Sequence, residues 1–272
     1  MLWLLKLSII AQWVQSVRIV NMRVPEAIQY GTRDKVTLDC EYNTRNVTGL
    51  VVKWFYNDRS QQVYQWIPPQ KPQALGLLKD KLDLNFKVSN DPYTQQRALR
   101  IVQPVPELTG NYTCVVSTFL AEDERTRPMT IFVPEKKFEL VVDRLNNVLL
   151  DIICVVKGVY PMPELAIFIA NRPQEANSSI KLEEGRYTAV TSVVVRVEAF
   201  PPTAETLCCV HVPLANYHNC TRKIFYRDEP PTPLVHPKSA HTQSVPDRGN
   251  RLVHSSYLFL LIIVHLSRIV VT

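Results

Sequence analysis

The first 210 residues of this chain contain no histidine; all six lie from His211 onward. Gly-x-Ser-x-Gly, a phosphate-cradling glycine loop and His-Glu-x-x-His are also missing. Nucleophilic hydrolysis, nucleotide chemistry and zinc proteolysis therefore have no motif to rest on. Of the histidines, His236, His241, His254 and His265 fall near the C-terminus. An activity would have to come from Leu207 to Cys220, LCCVHVPLANYHNC, where three cysteines and two histidines crowd together. The reading is a non-enzyme with no catalytic residue, no cofactor, no bound metal and no small-molecule substrate. An apolar run of the ~20 residues that a membrane-spanning helix needs is lacking as well.

Two shorter apolar runs are present. Leu2 to Val14, with Lys6 and then Val14-Gln15-Ser16, reads as a signal peptide over residues 1–16. Residues 257–272, SYLFLLIIVHLSRIVVT from its Tyr onward, carry His265 and Arg268, which are costly inside a bilayer. Before them lies a polar, proline-rich stretch, residues 229–256, containing Asp247-Arg248-Gly249. Small residues, polar spacer and terminal apolar tail resemble a glycosylphosphatidylinositol signal with attachment at Asp247. A single-pass helix from about Leu252 and a soluble secreted form are the alternatives. Loss of Lys6, Arg248, Arg251 and Arg268 with the processed ends takes the formal charge from +6 to +2. A nucleic-acid partner, which needs a clustered basic face, then loses its support. Export also agrees with four acceptor sequons, at Asn46, Asn111, Asn177 and Asn219.

Between the ends, short β-rich runs follow one another: KVTLDCEY, LVVKWFYN, QQVYQWI, LDLNFKVS, ALRIV, NYTCVVS and MTIFV, parted by Asn, Asp, Pro and Gly turns. That pattern predicts an all-β sandwich. Cys40, Trp54, Tyr112 and Cys114 fit its interior. Two sheets about 10 Å apart hold one cystine with an indole against it, and a tyrosine two residues before the second cysteine turns its hydroxyl back onto the corner backbone. A second series, KFELVVD, NVLLDIICVVK, LAIFIA, GRYTAVTSVVVRVEA, TLCCVHVP and CTRKIFY, begins after Pro134. It holds Cys154 and the pair Cys208-Cys209, with Ile167 where the indole would stand.

These features resemble the immunoglobulin superfamily. The expected organisation is two tandem immunoglobulin-like β-sandwiches, variable-type over residues 17–134 and constant-type over 135–228, followed by a disordered stalk over 229–256 and the tail over 257–272. Leu108 stands where the family often has aspartate, which removes the usual corner ion pair to an arginine at strand D; Glu107 is adjacent. Val52-Lys53-Trp54-Phe55, then Val63-Tyr64-Gln65-Trp66-Ile67-Pro68-Pro69 and Gln70-Lys71-Pro72, look like the first domain of the insect beaten-path family. That resemblance implies a neuronal surface protein, secreted or anchored, whose partner is a Sidestep-type immunoglobulin receptor, with a role in axon guidance or synaptic partner recognition.

Strand parity puts Val52, Trp54 and Tyr56 inside and Phe55 outside. Phe55, Tyr64 and Trp66, with Phe119 in the loop between strands F and G, make a candidate binding face. The competing reading has Tyr64 or Trp66 folding over the sheet edge as core. In the second domain, parity with Val210 and Val212 points Cys208 inward to Cys154 and turns Cys209 outward with His211; the swapped pairing is the alternative. A hairpin folded about Leu214 and Ala215 sets Cys209 opposite Cys220 and His211 opposite His218. That is a cross-strand cystine or a Cys2His2 zinc cage, and export favours the cystine. The same register turns Asn219 inward opposite Val210, where a glycan does not fit. The expected protein is a cell-surface recognition or adhesion molecule that binds another immunoglobulin-type receptor through its first domain.

Overall fold

The computed structural model describes residues 17–43 and 47–228. The readings placed on residues 1–16, Asn46, the stalk, Asp247 and the terminal tail lie outside the described residues. Those described are all-β, with four short 3-10 turns and no α-helix among them.

In the first sandwich, β1 (Arg18–Arg23), β3 (Lys35–Asn43) and β7 (Leu99–Val102) form one sheet in the order β1-β3-β7. The facing sheet contains β2 (Ala27–Gln29), β4 (Val51–Tyr56), β5 (Gln62–Trp66), β6 (Gln73–Ala74), β8 (Gly110–Ser117) and β9 (Glu122–Phe132), in the order β2-β9-β8-β4-β5-β6. Alternation in β3 buries Val36, Leu38, Cys40 and Tyr42. They meet Trp54, Tyr112, Cys114, Met129 and Ile131 from the facing sheet in one core. The Cys40–Cys114 cystine ties the sheets together. Trp54 is fully buried and donates Nε1–H to the Arg97 carbonyl at 3.1 Å. The Tyr112 hydroxyl donates to the Leu108 carbonyl at 2.8 Å, closing the corner.

The run LDLNFKVS, read as a strand, forms only a single bridge between Leu82 and Ile101. Its own polar residues break it. The Asp83 carboxylate accepts Asn85 N–H at 3.3 Å and the Asp83 carbonyl accepts Phe86 N–H at 3.2 Å, a local turn that competes with the ladder. Just before β7, a buried ion pair supports the same sheet. Arg97 makes two bonds to buried Asp39, at 2.8 and 3.2 Å, and Arg23 makes a third at 2.6 Å. Burial alone would raise the Asp39 carboxyl, but the hydrogen bonds and charges of Arg97 and Arg23 outweigh it and hold the pKa below its ordinary value.

The second sandwich joins β10 (Lys137–Arg144), β11 (Leu149–Val159), β14 (Asn177–Glu183) and β15 (Arg186–Arg196) in the order β10-β11-β15-β14. It faces β12 (Glu164–Ile169), β13 (Arg172–Gln174), β16 (Thr203–Val212) and β17 (Tyr217–Tyr226), ordered β13-β12-β16-β17. The Cys154–Cys208 cystine crosses the sheets, with Ile167 directly opposite Cys208 and fully buried in the place of an indole.

Candidate functional site

The outer face of the six-stranded sheet was expected to carry an aromatic patch, and three of its four residues are not available there. Trp66 is 0% exposed and Tyr64 2%. The cause is a bulge: Trp54 pairs with Tyr64 but Phe55 pairs with Gln62, so Val63 is the extra residue and both Val63 and Tyr64 sit inside. Their polar ends are satisfied within the fold, Tyr64 O–H by the Gln96 carbonyl at 2.6 Å and Trp66 Nε1–H by the Gln70 carbonyl at 3.1 Å. Phe55 does take the outward parity, since Trp54 and Tyr56 belong to the core, yet it is only 7% exposed. The Arg59 guanidinium lies 5.4 Å from its ring centroid and is held there by Glu122 and Glu124 of β9. The proposed aromatic face is therefore closed.

Phe119 differs. At the turn between β8 and β9 it is 80% exposed, and Leu120 beside it is 65% exposed. This is the most exposed apolar pair of neighbours among the described residues. The turn is built rigidly for so exposed a segment. Thr118 Oγ1 accepts the N–H groups of Leu120 and Ala121 at 3.3 and 3.2 Å, while Thr118 N–H donates to the Ala121 carbonyl at 2.8 Å. Phe119 N–H reaches across to the Thr48 carbonyl, 3.2 Å away in the loop before β4. The Phe119 ring rests over Gly49, where a Cβ would come within 2.3 Å of the ring carbons, and Gly49 has φ +72°. Glycine is required there by both conformation and space. Gly49→Ala should lower stability by about 1–2 kcal/mol through the positive φ and push Phe119 off its seat; thermal denaturation and Phe119 ring NMR shifts check both effects.

Where the two sandwiches meet, Val133 and Tyr160 exchange backbone hydrogen bonds of 2.8 and 3.0 Å. The Glu135 carboxylate accepts from Tyr217 O–H at 3.0 and 3.1 Å and from Asn219 Nδ2. Burial and this carboxylate push the Tyr217 phenol up to about 12, so it remains a donor at neutral pH. The contact also corrects the reading of Asn219. It lies opposite Val210, as the hairpin requires, but it is exposed rather than turned into core, because the Glu135 carboxylate is what meets it. Asn111 and Asn177 are exposed too.

On the β16–β17 hairpin, Cys209 faces Cys220 and His211 faces His218. The two sulfurs are joined as a cystine, which takes up the thiolates that a Cys2His2 cage would need. His211 turns to Glu164, with Nδ1 3.5 Å from Oε2.

Residues 31–127 match the family model described as the immunoglobulin domain. No curated protein matches the chain. Among solved structures, bovine butyrophilin aligns with 77% of this chain and 98% of its own at 15% identity, with a TM-score of 0.59. The full ectodomain of mouse nectin-like molecule 4 aligns with 74% of this chain and 65% of its own at 13% identity, with a TM-score of 0.46. At the identity of the butyrophilin match, the likeness is one of fold. Residues 31–127 thus match the immunoglobulin domain and fall within the first of two tandem immunoglobulin-like sandwiches.

Proposed function

We propose that this protein is an extracellular recognition or adhesion molecule that binds another immunoglobulin-type receptor through the loop end of its first sandwich. The observation that carries this reading is the pair Phe119 and Leu120, presented to solvent on a turn fixed by its own hydrogen bonds and by Gly49. A large apolar side chain held rigidly in water is a poor use of surface for a free domain. It suits a contact whose centre is one aromatic anchor, since little conformational entropy is left to lose on binding. Three cystines support an oxidising compartment.

The narrower reading follows the beaten-path resemblance of the phrases around Trp54 and Trp66. The partner is then a Sidestep-type receptor and the setting is axon guidance or synaptic partner recognition. The protein is carried on a lipid anchor at Asp247, with Asn46, Asn111, Asn177 and Asn219 as glycan acceptors and residues 17–134 and 135–228 as its two domains. A binding screen of residues 17–228 against an array of immunoglobulin-type ectodomains tests the general proposal. Saturable binding to a member is expected, and absence of binding across the array would reject it. Binding only to receptors outside the Sidestep type would reject the narrower reading alone.

A further inference from the structure

The outer face of the second sandwich holds a cluster that receptor binding through the first does not use. Cys209 and Cys220 stand opposite each other, and one step along the same face His211 stands opposite His218. Ligand atoms of Cys209, His218 and Cys220 all lie within 4.8 Å of one another, and His218 Nε2 is 3.5 Å from Cys220 Sγ. Glu164 of β12 pairs with His211 in the ladder and approaches its Nδ1 at 3.5 Å. The inner cystines differ in access: Cys40, Cys114, Cys154 and Cys208 are fully buried, whereas the outer one is open at Cys220, which is exposed, and covered at Cys209, which is not.

We propose that this cluster is a redox-gated zinc site, with Cys209, Cys220 and His218 as the ligands already gathered and His211, opposite His218 in the ladder, turning its ring inward as the fourth. The closed form is the cystine. An external dithiol opens it by exchange: its two sulfurs are oxidised to a disulfide while the Cys209–Cys220 bond becomes two thiols. Zn2+ then displaces the two thiol protons to solvent and binds the thiolates with two neutral imidazoles, the soft and borderline donors that it prefers. The ladder keeps the opened sulfurs together. Facing Cα atoms of Cys209 and Cys220 are 4.1 Å apart, and two thiolates on one tetrahedral zinc ion stand roughly 3.8 Å apart, a spacing reached by side-chain rotation alone. Glu164 supplies the outer partner that metal-binding histidines usually have, holding the Nδ1 side of His211 and leaving Nε2 for the metal. Exposure of Cys220 directs the reductant to this bond and spares the two core cystines, neither of which has an exposed sulfur.

The test uses the full chain purified from secreting cells, oxidised as purified or reduced with dithiothreitol and desalted without oxygen, and titrated with Zn2+ or with Co2+ as a spectroscopic reporter. One metal ion per reduced chain is expected, with the visible bands of tetrahedral thiolate-bound Co2+, and none per oxidised chain. Alkylation and peptide mass analysis should find only Cys209 and Cys220 opened. His218→Ala, at an exposed position, should weaken binding at least tenfold with both core cystines intact. The proposal is overturned by absence of metal binding after reduction, by equal binding to the oxidised chain or to His218→Ala, or by opening of a core cystine before this one.

Discussion

Trp66→Ala is expected to cost about 3–5 kcal/mol of folding stability, the range for emptying a buried aromatic site. The indole is fully buried between the sheets, and its removal also strips the Gln70 carbonyl of its donor. Urea unfolding should show a lower midpoint at an unchanged slope. Well below the unfolding transition, receptor affinity should stay as it was, because the residue presents nothing to solvent. A Trp66 belonging to an exposed aromatic face would behave oppositely, with stability changed by about 0.5 kcal/mol or less and binding lost. The experiment thus separates the core assignment from the surface one that the alternation of the sequence suggests.

Asp39→Ala should be nearly as damaging, at about 3–5 kcal/mol, since it leaves the inner Arg97 guanidinium without its acid. Its pH signature is specific. The folded pKa of Asp39 lies below the ordinary 3.8, so its contribution is complete above that value and is lost as pH falls through the folded pKa. Wild type and Asp39→Asn should therefore differ most in unfolding free energy near neutral pH, and the gap should narrow as the acid limb is entered below about pH 4. A gap that stays constant down to the acid limb would mean that Asp39 acts through shape and not charge.

The parts of the fold that could be read directly are those whose residues are committed to the core. Cys40, Trp54, Tyr112 and Cys114 each have one place to go in a two-sheet interior, and the parity of Cys208 against Cys209 follows from the period of a strand. Even the pairing of the β16–β17 hairpin was legible, because a short turn leaves one register that stacks cysteine on cysteine and histidine on histidine. What failed was local. The bulge at Val63 depends on how β5 meets β4, which no alternation records, and it moves Tyr64 inside. Strand β14 is exposed along its whole length and has no apolar side to announce it. Arg59 is held over Phe55 by Glu122, 63 residues away in the chain, and Glu135 meets Asn219 across 84 residues, separations that no local pattern records.

The candidate site was legible only in part. Phe119 was visible as an aromatic in a charged turn, but its neighbour Leu120 and the seat at Gly49 depend on two loops meeting. That seat is where the account can be most directly wrong. The deciding measurement is the affinity of the receptor identified by the ectodomain screen for wild type, Phe119→Ala and Leu120→Ala, each checked for an unchanged unfolding midpoint. Truncating an aromatic anchor at the centre of a contact costs about 2 kcal/mol or more, roughly a 30-fold loss. Phe119→Ala should reach that loss, and Leu120→Ala should show a smaller one. Affinity unchanged in both variants, with the fold intact, would contradict the assignment of the loop end as the recognition site.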